Sequence, residues 1–128
     1  MIVNSGKTKL LDAQNTYWAG VLWALFTNNV AVSSVTVWTD LVEAAWSGYA
    51  RVAVGSLLPS VIVSGKASAQ PVAQPAFGNS SGSTQNFYGW ALVDPSGPTL
   101  IAAVNVGATS IITGSTFPIS AVFTDDQA

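Results

Sequence analysis

Short apolar runs rich in β-branched and aromatic residues follow one another along this chain, and clusters of Gly, Pro, Ser and Asn separate them. Runs of this kind, bounded by turn residues, are typical of all-β proteins. In residues 117–123, Phe117, Ile119, Ala121 and Phe123 alternate along the run, so a strand would place them on one face. The pattern predicts an all-β fold: a single-domain antiparallel β-sandwich of jelly-roll type over residues 1–128, with at most one short helix.

A hairpin is predicted in the second half of the chain. Residues 86–93 are apolar on both alternating faces, which is typical of a central strand or of a strand at a subunit contact. In residues 99–106 apolar residues recur at every second position, as in a strand with one apolar face. Between them, residues 94–98 read Asp-Pro-Ser-Gly-Pro, which are the residue types that form tight turns. We therefore expect the two runs to pair across this turn.

The first half of the chain is harder to interpret. Leu11, Trp18, Leu22 and Leu25 are spaced as a helical stripe, whereas the run at residues 20–27 suits a strand, and we favour the strand.

Three further features are predicted in the middle of the chain, at residues 40–83. A helical turn is expected at residues 40–46, because Asp40 could cap its free N–H groups with Glu43 three residues later. A strand is expected at residues 49–54. Residues 78–83, Gly-Asn-Ser-Ser-Gly-Ser, contain almost no side chain that could anchor them, so we expect a mobile surface loop there.

The low charge of the chain indicates whether other subunits cover its surface. Its 128 residues suit one domain, and 49% of them are apolar, but only 8% are charged, against about 25% in an ordinary soluble domain. Surfaces so poor in charge tend to associate, so we expect neighbouring subunits to cover part of this one. A small secreted or virion β protein kept soluble by Ser, Thr and Asn is the alternative.

The distribution of charge and apolar residues also limits the class of partner. The basic residues form no stripe that could neutralise phosphates, so nucleic-acid binding is not expected. The most apolar run, residues 17–26, has about half the length of a membrane span, and the N-terminal segment lacks the apolar region of a secretory signal. We expect a protein that is made in the cytoplasm and does not enter a membrane. The basic residues are Lys7, Lys9, Arg51 and Lys66.

Candidate catalytic groups are few. The chain has no His and no Cys, which removes the commonest general base, the commonest metal ligand and all thiolate chemistry. Asp40 and Glu43 suit capping better than acid–base work, and Lys66 beside Ser64 lies in an expected turn. No phosphate-binding glycine motif or calcium-loop motif occurs. We therefore expect no enzyme activity, no cofactor and no metal site.

The five tryptophans remain as candidate functional residues. Trp23 and Trp90 are flanked by apolar residues and are expected in the core. Trp38 and Trp46 lie beside polar or small residues, which makes them candidates for a protein interface or for a platform on which a sugar stacks.

Several short phrases carry a resemblance to known proteins. They are LFTN at residues 25–28, EA-x-x-x-GYAR at residues 43–51, YG at residues 88–89 and G-x-x-F-x-I at residues 114–119. With these phrases the chain resembles small virion proteins of tailed bacteriophages. The resemblance implies a homotrimeric capsid decoration (cement) protein on the virion surface, which bridges and stabilises neighbouring major capsid subunits. A tail-tip or fibre module that binds host-surface glycan is the alternative.

The candidate interface combines an N-terminal arm with the GYAR phrase. Residues 1–11 would form an extended arm that docks on an acidic shell surface through its lysines. Arg51 could pair with Asp40 or Glu43 close to Tyr49 and lock the chain there through charge-assisted hydrogen bonds. The candidate interface residues are Lys7, Lys9, Trp38, Trp46, Tyr49 and Arg51.

Overall fold

The computed structural model describes residues 14–120 and 122–125, together with residues 5, 8, 9 and 12. In this part of the chain nine strands pair antiparallel and form a four-stranded, a three-stranded and a two-stranded sheet. The predicted all-β class is confirmed, while the sandwich and jelly-roll arrangement stays a prediction. In chain order the elements are α1 (Asn15–Trp18), β1 (Leu22–Phe26), a 3-10 turn (Trp38–Asp40), β2 (Val52–Ala53), β3 (Val61–Val63), β4 (Lys66–Ala69), β5 (Ala76–Gly78), β6 (Gln85–Asp94), β7 (Thr99–Ile111), β8 (Thr116–Pro118) and β9 (Phe123–Asp125).

The four-stranded sheet has the order β2-β1-β6-β7. The strand predicted at residues 20–27 is confirmed as β1, and the predicted hairpin is confirmed as β6 and β7. The strand expected at residues 49–54 is shorter, because only the two residues of β2 pair with β1. β1 lies between β2 and β6, and most of its residues are buried because apolar clusters cover both faces of the sheet there.

Gly89 permits close packing at the centre of this sheet. A Cβ at this position would collide with the carbonyl oxygen of Val104 and with the ring of Phe26. The ladder between β6 and β7 shifts register next to Gly89 and again after Leu92, as happens at β-bulges. Glycine is therefore needed here for space between neighbouring strands.

The main core lies on one face of the four-stranded sheet. Trp23 and Leu25 from β1 and Phe87 from β6 meet Phe77 and Phe123, which come from the two smaller sheets. Burial of large side chains like these contributes about 1.5–3 kcal/mol each, so this core joins all three sheets into one unit.

A smaller apolar cluster covers the opposite face of the sheet. Phe26 and Ala91 point to that face, and the irregular segment of residues 27–42 packs over them with Leu41 and Trp38. The segment that follows β1 thus supplies the second layer over its own sheet.

The strand predicted at residues 117–123 is divided between two sheets, so the expectation of a single strand is wrong. β8 ends at Pro118 and pairs with β5, whereas β9 begins at Phe123 and pairs with β4. Between them Ile119 is buried, and its N–H donates to the Pro75 carbonyl at 2.9 Å. The alternation of apolar residues indicates which side chains face the core. It does not show whether one strand or two strands of different sheets carry them.

The helical turn predicted at residues 40–46 is also wrong. A 3-10 turn ends at Asp40, whose carboxylate accepts the Val37 N–H at 2.9 Å. Beyond it the chain is extended, and Glu43 forms an antiparallel bridge with Phe26. The free backbone groups at the end of β1 bind this segment, and they outweigh a weak local capping preference.

Residues 78–83 have an anchor, contrary to the expectation of an unanchored loop. Asn79 is only 3% exposed, and its Nδ2 donates to the carbonyls of Ser83 and Ile111, both at 2.8 Å. Its Oδ1 accepts the Ser81 N–H at 2.9 Å and the Ser81 hydroxyl at 2.7 Å. One buried amide with four hydrogen bonds therefore fastens this loop to the end of β7.

Most of the predicted arm at residues 1–11, including Lys7, lies outside the described residues. Elsewhere, no helix among the described residues has the length and apolar character needed to span a membrane.

Candidate functional site

Four of the six candidate interface residues meet beside the end of β1. The chain that leaves β1 turns back along it: the Thr27 N–H donates to the Val42 carbonyl at 2.7 Å, and the Ala44 N–H donates to the Leu25 carbonyl at 3.0 Å. The side-chain oxygen of Asn28 accepts the Val42 N–H at 2.8 Å and closes the loop. These contacts fix the carboxylate that follows Val42 in the sequence.

Glu43 is the centre of the site. Arg51 donates two hydrogen bonds to its carboxylate, from Nε to Oε1 and from Nη2 to Oε2, both at 2.8 Å. The Tyr49 hydroxyl donates to Oε1 at 2.9 Å and accepts the Leu25 N–H at 3.2 Å. Of the two acidic partners considered for Arg51, the structure therefore shows Glu43 and not Asp40. We call Trp38, Glu43, Tyr49 and Arg51 the arginine joint.

The hydrogen bonds of the arginine joint favour its charged form. The hydrogen bond from Arg51 lowers the pKa of Glu43 below its ordinary value of 4.5, against the opposing effect of burial. The same contact raises the pKa of Arg51, while burial raises the pKa of the Tyr49 hydroxyl, which stays protonated. At neutral pH the joint is an ion pair with a neutral phenol, an arrangement that holds two chain segments together and leaves these three groups without a titration near pH 7.

The two candidate tryptophans have partners within the chain. The guanidinium of Arg51 lies 5.1 Å from the centroid of the Trp38 ring, within the range of a cation–π contact. Trp46 Nε1 donates to the Gly78 carbonyl at 2.9 Å, and its ring meets that of Tyr49 edge-on at 5.7 Å. Both rings are half-buried, so each keeps some surface that a partner could contact.

Of the two lysines of the candidate set, the one that the structure describes is not part of the arginine joint. Lys9 is exposed, and Lys7 lies outside the described residues. The sequence phrase therefore located the joint, and the structure decided between Asp40 and Glu43 as the partner of Arg51.

A second feature, which sequence reasoning missed, is a cleft between the four-stranded and the three-stranded sheet. Its volume is about 430 Å³ and its walls are mainly apolar. The indole N–H groups of Trp18 and Trp23, both in its walls, are buried without a hydrogen-bond partner among the described residues. The only signal in the sequence is the absence of any charged residue between Asp94 and Asp125. The main lining residues are Trp18, Trp23, Trp90, Val104, Val122 and Phe123.

Comparisons with known proteins add no assignment. No family model, no curated protein and no solved structure matches this chain. In the described part of the chain, no three His, Cys, Asp or Glu side chains are grouped so that they could hold a metal ion.

Proposed function

We propose that this chain is a non-enzymatic structural subunit of a tailed-bacteriophage particle. Within the particle, its role is that of a capsid decoration protein that bridges and stabilises neighbouring major capsid subunits. Its location would be the capsid surface. The protein would act by adding buried contact area between capsid subunits, and many symmetric copies would multiply a small gain per copy.

Grouped apolar side chains on a nearly uncharged surface carry this proposal. Leu58, Val61, Val63 and Val122 are all exposed and lie along one groove of about 390 Å³ on the three-stranded sheet. Single exposed apolar residues are ordinary, but a contiguous group marks a surface that a partner covers. With only 8% charged residues in the chain, little repulsion opposes such a contact.

The arginine joint gives independent support through the phrases that carry the resemblance. Residues 25–28 and 43–51 are separated in the sequence, yet the structure brings them together at the bridge between Phe26 and Glu43 and at the hydrogen bond from Leu25 to Tyr49. These two phrases thus belong to one hydrogen-bonded unit. Residues that a family of similar folds shares are expected to form such a unit.

The test mixes the purified protein with capsids of its phage that lack it. Saturable binding and a higher rupture temperature of the capsids are the expected results. Val61→Asp should weaken binding, because a charge would be buried in the contact, while Val61→Thr, which keeps the shape without a charge, should bind nearly as the unmodified protein does. Protein that does not bind such capsids at any ratio would refute the proposal.

Glycan recognition by tryptophan is the alternative function. Its support is weaker, because Arg51 occupies one face of Trp38 and the Trp46 N–H is used within the chain. If Trp38→Ala removed binding to host cells and kept the thermal midpoint, this alternative would replace the capsid proposal.

A further inference from the structure

β7 is the longest strand of the described chain and lies at the edge of the four-stranded sheet. It covers Thr99–Ile111 and, among the described strands, pairs with β6 alone. Backbone N–H and C=O groups on its other edge point away from the sheet. Such an edge is a template to which a further strand can be added.

Apart from one irregularity towards each end, this edge lacks the features that usually prevent strand addition. Natural edge strands are blunted by lysine, by proline, by bulges or by short length. β7 contains no charged residue and no proline. Its register shifts lie near Leu100 and at residues 106–108, which include Gly107 with a φ of +81°, and residues 102–105 between them pair regularly with β6 and carry no charge.

An open apolar wall lies directly beside this edge. Val104 and Val106 are 41% and 44% exposed, and they share one face of β7 because side chains alternate along a strand. Val104 and Val122 both line the cleft of about 430 Å³. The occupant that satisfies both the free backbone groups and the apolar wall is an extended strand with apolar side chains on one face.

We infer that β7 is a self-association edge, on which a second copy of this chain pairs its own β7 antiparallel about a two-fold axis. The two four-stranded sheets then become one eight-stranded sheet, and the two clefts lie side by side under it. This inference does not depend on the capsid proposal, and a homotrimer would need a different contact.

The choice of a second copy follows from length and charge. The other edge strands of the described sheets have two or three residues, so β7 finds a match in length only in another β7. A two-fold contact uses the same patch on both partners, and antiparallel pairing of a strand with itself has this property. A neutral strand also meets its own copy without repulsion between like charges.

A cysteine scan tests the geometry of this contact. The chain has no cysteine, so single cysteines at residues 102–106 can be introduced one at a time and oxidised. Directly opposed Cβ atoms in an antiparallel pair are about 4.5–5.5 Å apart, close to the separation that a disulfide needs, so only residues at or next to the axis should link. The expected result is one maximum of covalent dimer within the scan. A scan that never exceeds the control Val61→Cys, on the short edge strand β3, would overturn the inference.

A charge variant tests the association itself. Sedimentation should give about twice the chain mass of 13.2 kDa for the unmodified protein. Val104→Lys should weaken the dimer by at least about tenfold, because like charges would meet across the axis, while Val61→Lys should leave it unchanged. Far-UV circular dichroism of each variant shows that it is folded, and the cysteine scan decides the matter if Val104→Lys is not. A monomer or trimer for the unmodified protein, or a folded Val104→Lys dimer, would refute pairing through β7.

Discussion

The arginine joint allows a quantitative test through the substitution Glu43→Gln. Glutamine keeps an oxygen that can accept the Tyr49 hydroxyl, which lies 2.9 Å from the carboxylate. Its amide group, however, would face a donor of Arg51, where the carboxylate now accepts a bond of 2.8 Å. The substitution therefore removes the ion pair and opposes two donors, with little change of volume.

The expected loss follows from the geometry and exposure of the pair. Hydrogen bonds to charged groups contribute about 1.5–3 kcal/mol when buried, whereas fully exposed ion pairs contribute about 0–1 kcal/mol. The side chains of Arg51 and Glu43 are 30% and 26% exposed, so solvent screens the pair in part. We expect Glu43→Gln to lower the free energy of unfolding by about 1–2 kcal/mol and the thermal midpoint by about 3–8 °C.

The loss should depend on pH in a defined direction. Because the hydrogen bond from Arg51 lowers the pKa of Glu43 in the folded protein from 4.5, the unfolded chain takes up this proton first as the pH falls. The joint then contributes its full stability above about pH 4.5 and loses it as the pH falls further, through the folded pKa. Urea unfolding of both proteins at pH 7 and at about pH 2.5 measures this, and the difference between them should shrink at the lower pH.

Asp40→Asn is the matched control for the loss of one negative charge near Arg51. The asparagine oxygen can still accept the Val37 N–H, which now donates to Asp40 at 2.9 Å, so its cost should stay within about 0.5 kcal/mol. The reasoning would be wrong if Asp40→Asn cost as much as Glu43→Gln, or if the cost of Glu43→Gln were the same at both pH values.

Three further substitutions test packing and hydrogen bonding, each by chemical denaturation at pH 7. Gly89→Ala should cost more than about 3 kcal/mol or prevent folding, because its methyl group would collide with the neighbouring strand. Gly20→Ala, where the nearest atom is 3.7 Å away, is the control and should cost less than about 0.5 kcal/mol. Equal costs for the two substitutions would contradict the packing argument. Asn79→Ala should cost about 2–4 kcal/mol, because it leaves the buried Ile111 carbonyl unpaired and removes the loop's other hydrogen bonds to this amide. The exposed Asn86→Ala should change little. Trp46→Phe keeps an aromatic ring but loses the smaller ring of the indole and with it the 2.9 Å hydrogen bond to a carbonyl. We expect a loss of at least about 1 kcal/mol, and no loss would show that the indole N–H contributes nothing.

The local pattern of residues predicted the hairpin, whose strands are near in sequence, and one apolar run that turn residues delimit. β6 and β7 flank a turn of unmistakable composition, and β1 is a short apolar run between turn residues. The division of residues 117–123 between two sheets was not predictable, because the same alternation serves a core that is built from either one sheet or two.

The candidate site was predictable only in part, for a related reason. Arg51 is one of only four basic residues, so the sequence indicated that it pairs with an acidic residue nearby. Asp40 and Glu43 were equally plausible partners. The bridge between Glu43 and Phe26, which the sequence does not show, places Glu43 beside Arg51. The cleft was not predictable. Its walls come from α1, β1, β6, β7 and β9, and alternation along a strand does not show whether another layer covers that face.

The pairing of β1 with β6 has a consequence for the order of events during synthesis. Leu22 pairs with Val93 and Phe26 with Gly89, so β1 leaves the ribosome about 3–14 s before its central partner exists, at about 5–20 residues per second. The β6–β7 hairpin, in contrast, can close within microseconds once it is made. The apolar β1 therefore has to wait for a newly made hairpin, and closing the long loop between them is expected to slow folding. During those seconds β1 is unpaired, and the outer edge of a finished β7 in another chain is open to it, which makes the nascent chain most vulnerable to aggregation at this apolar strand.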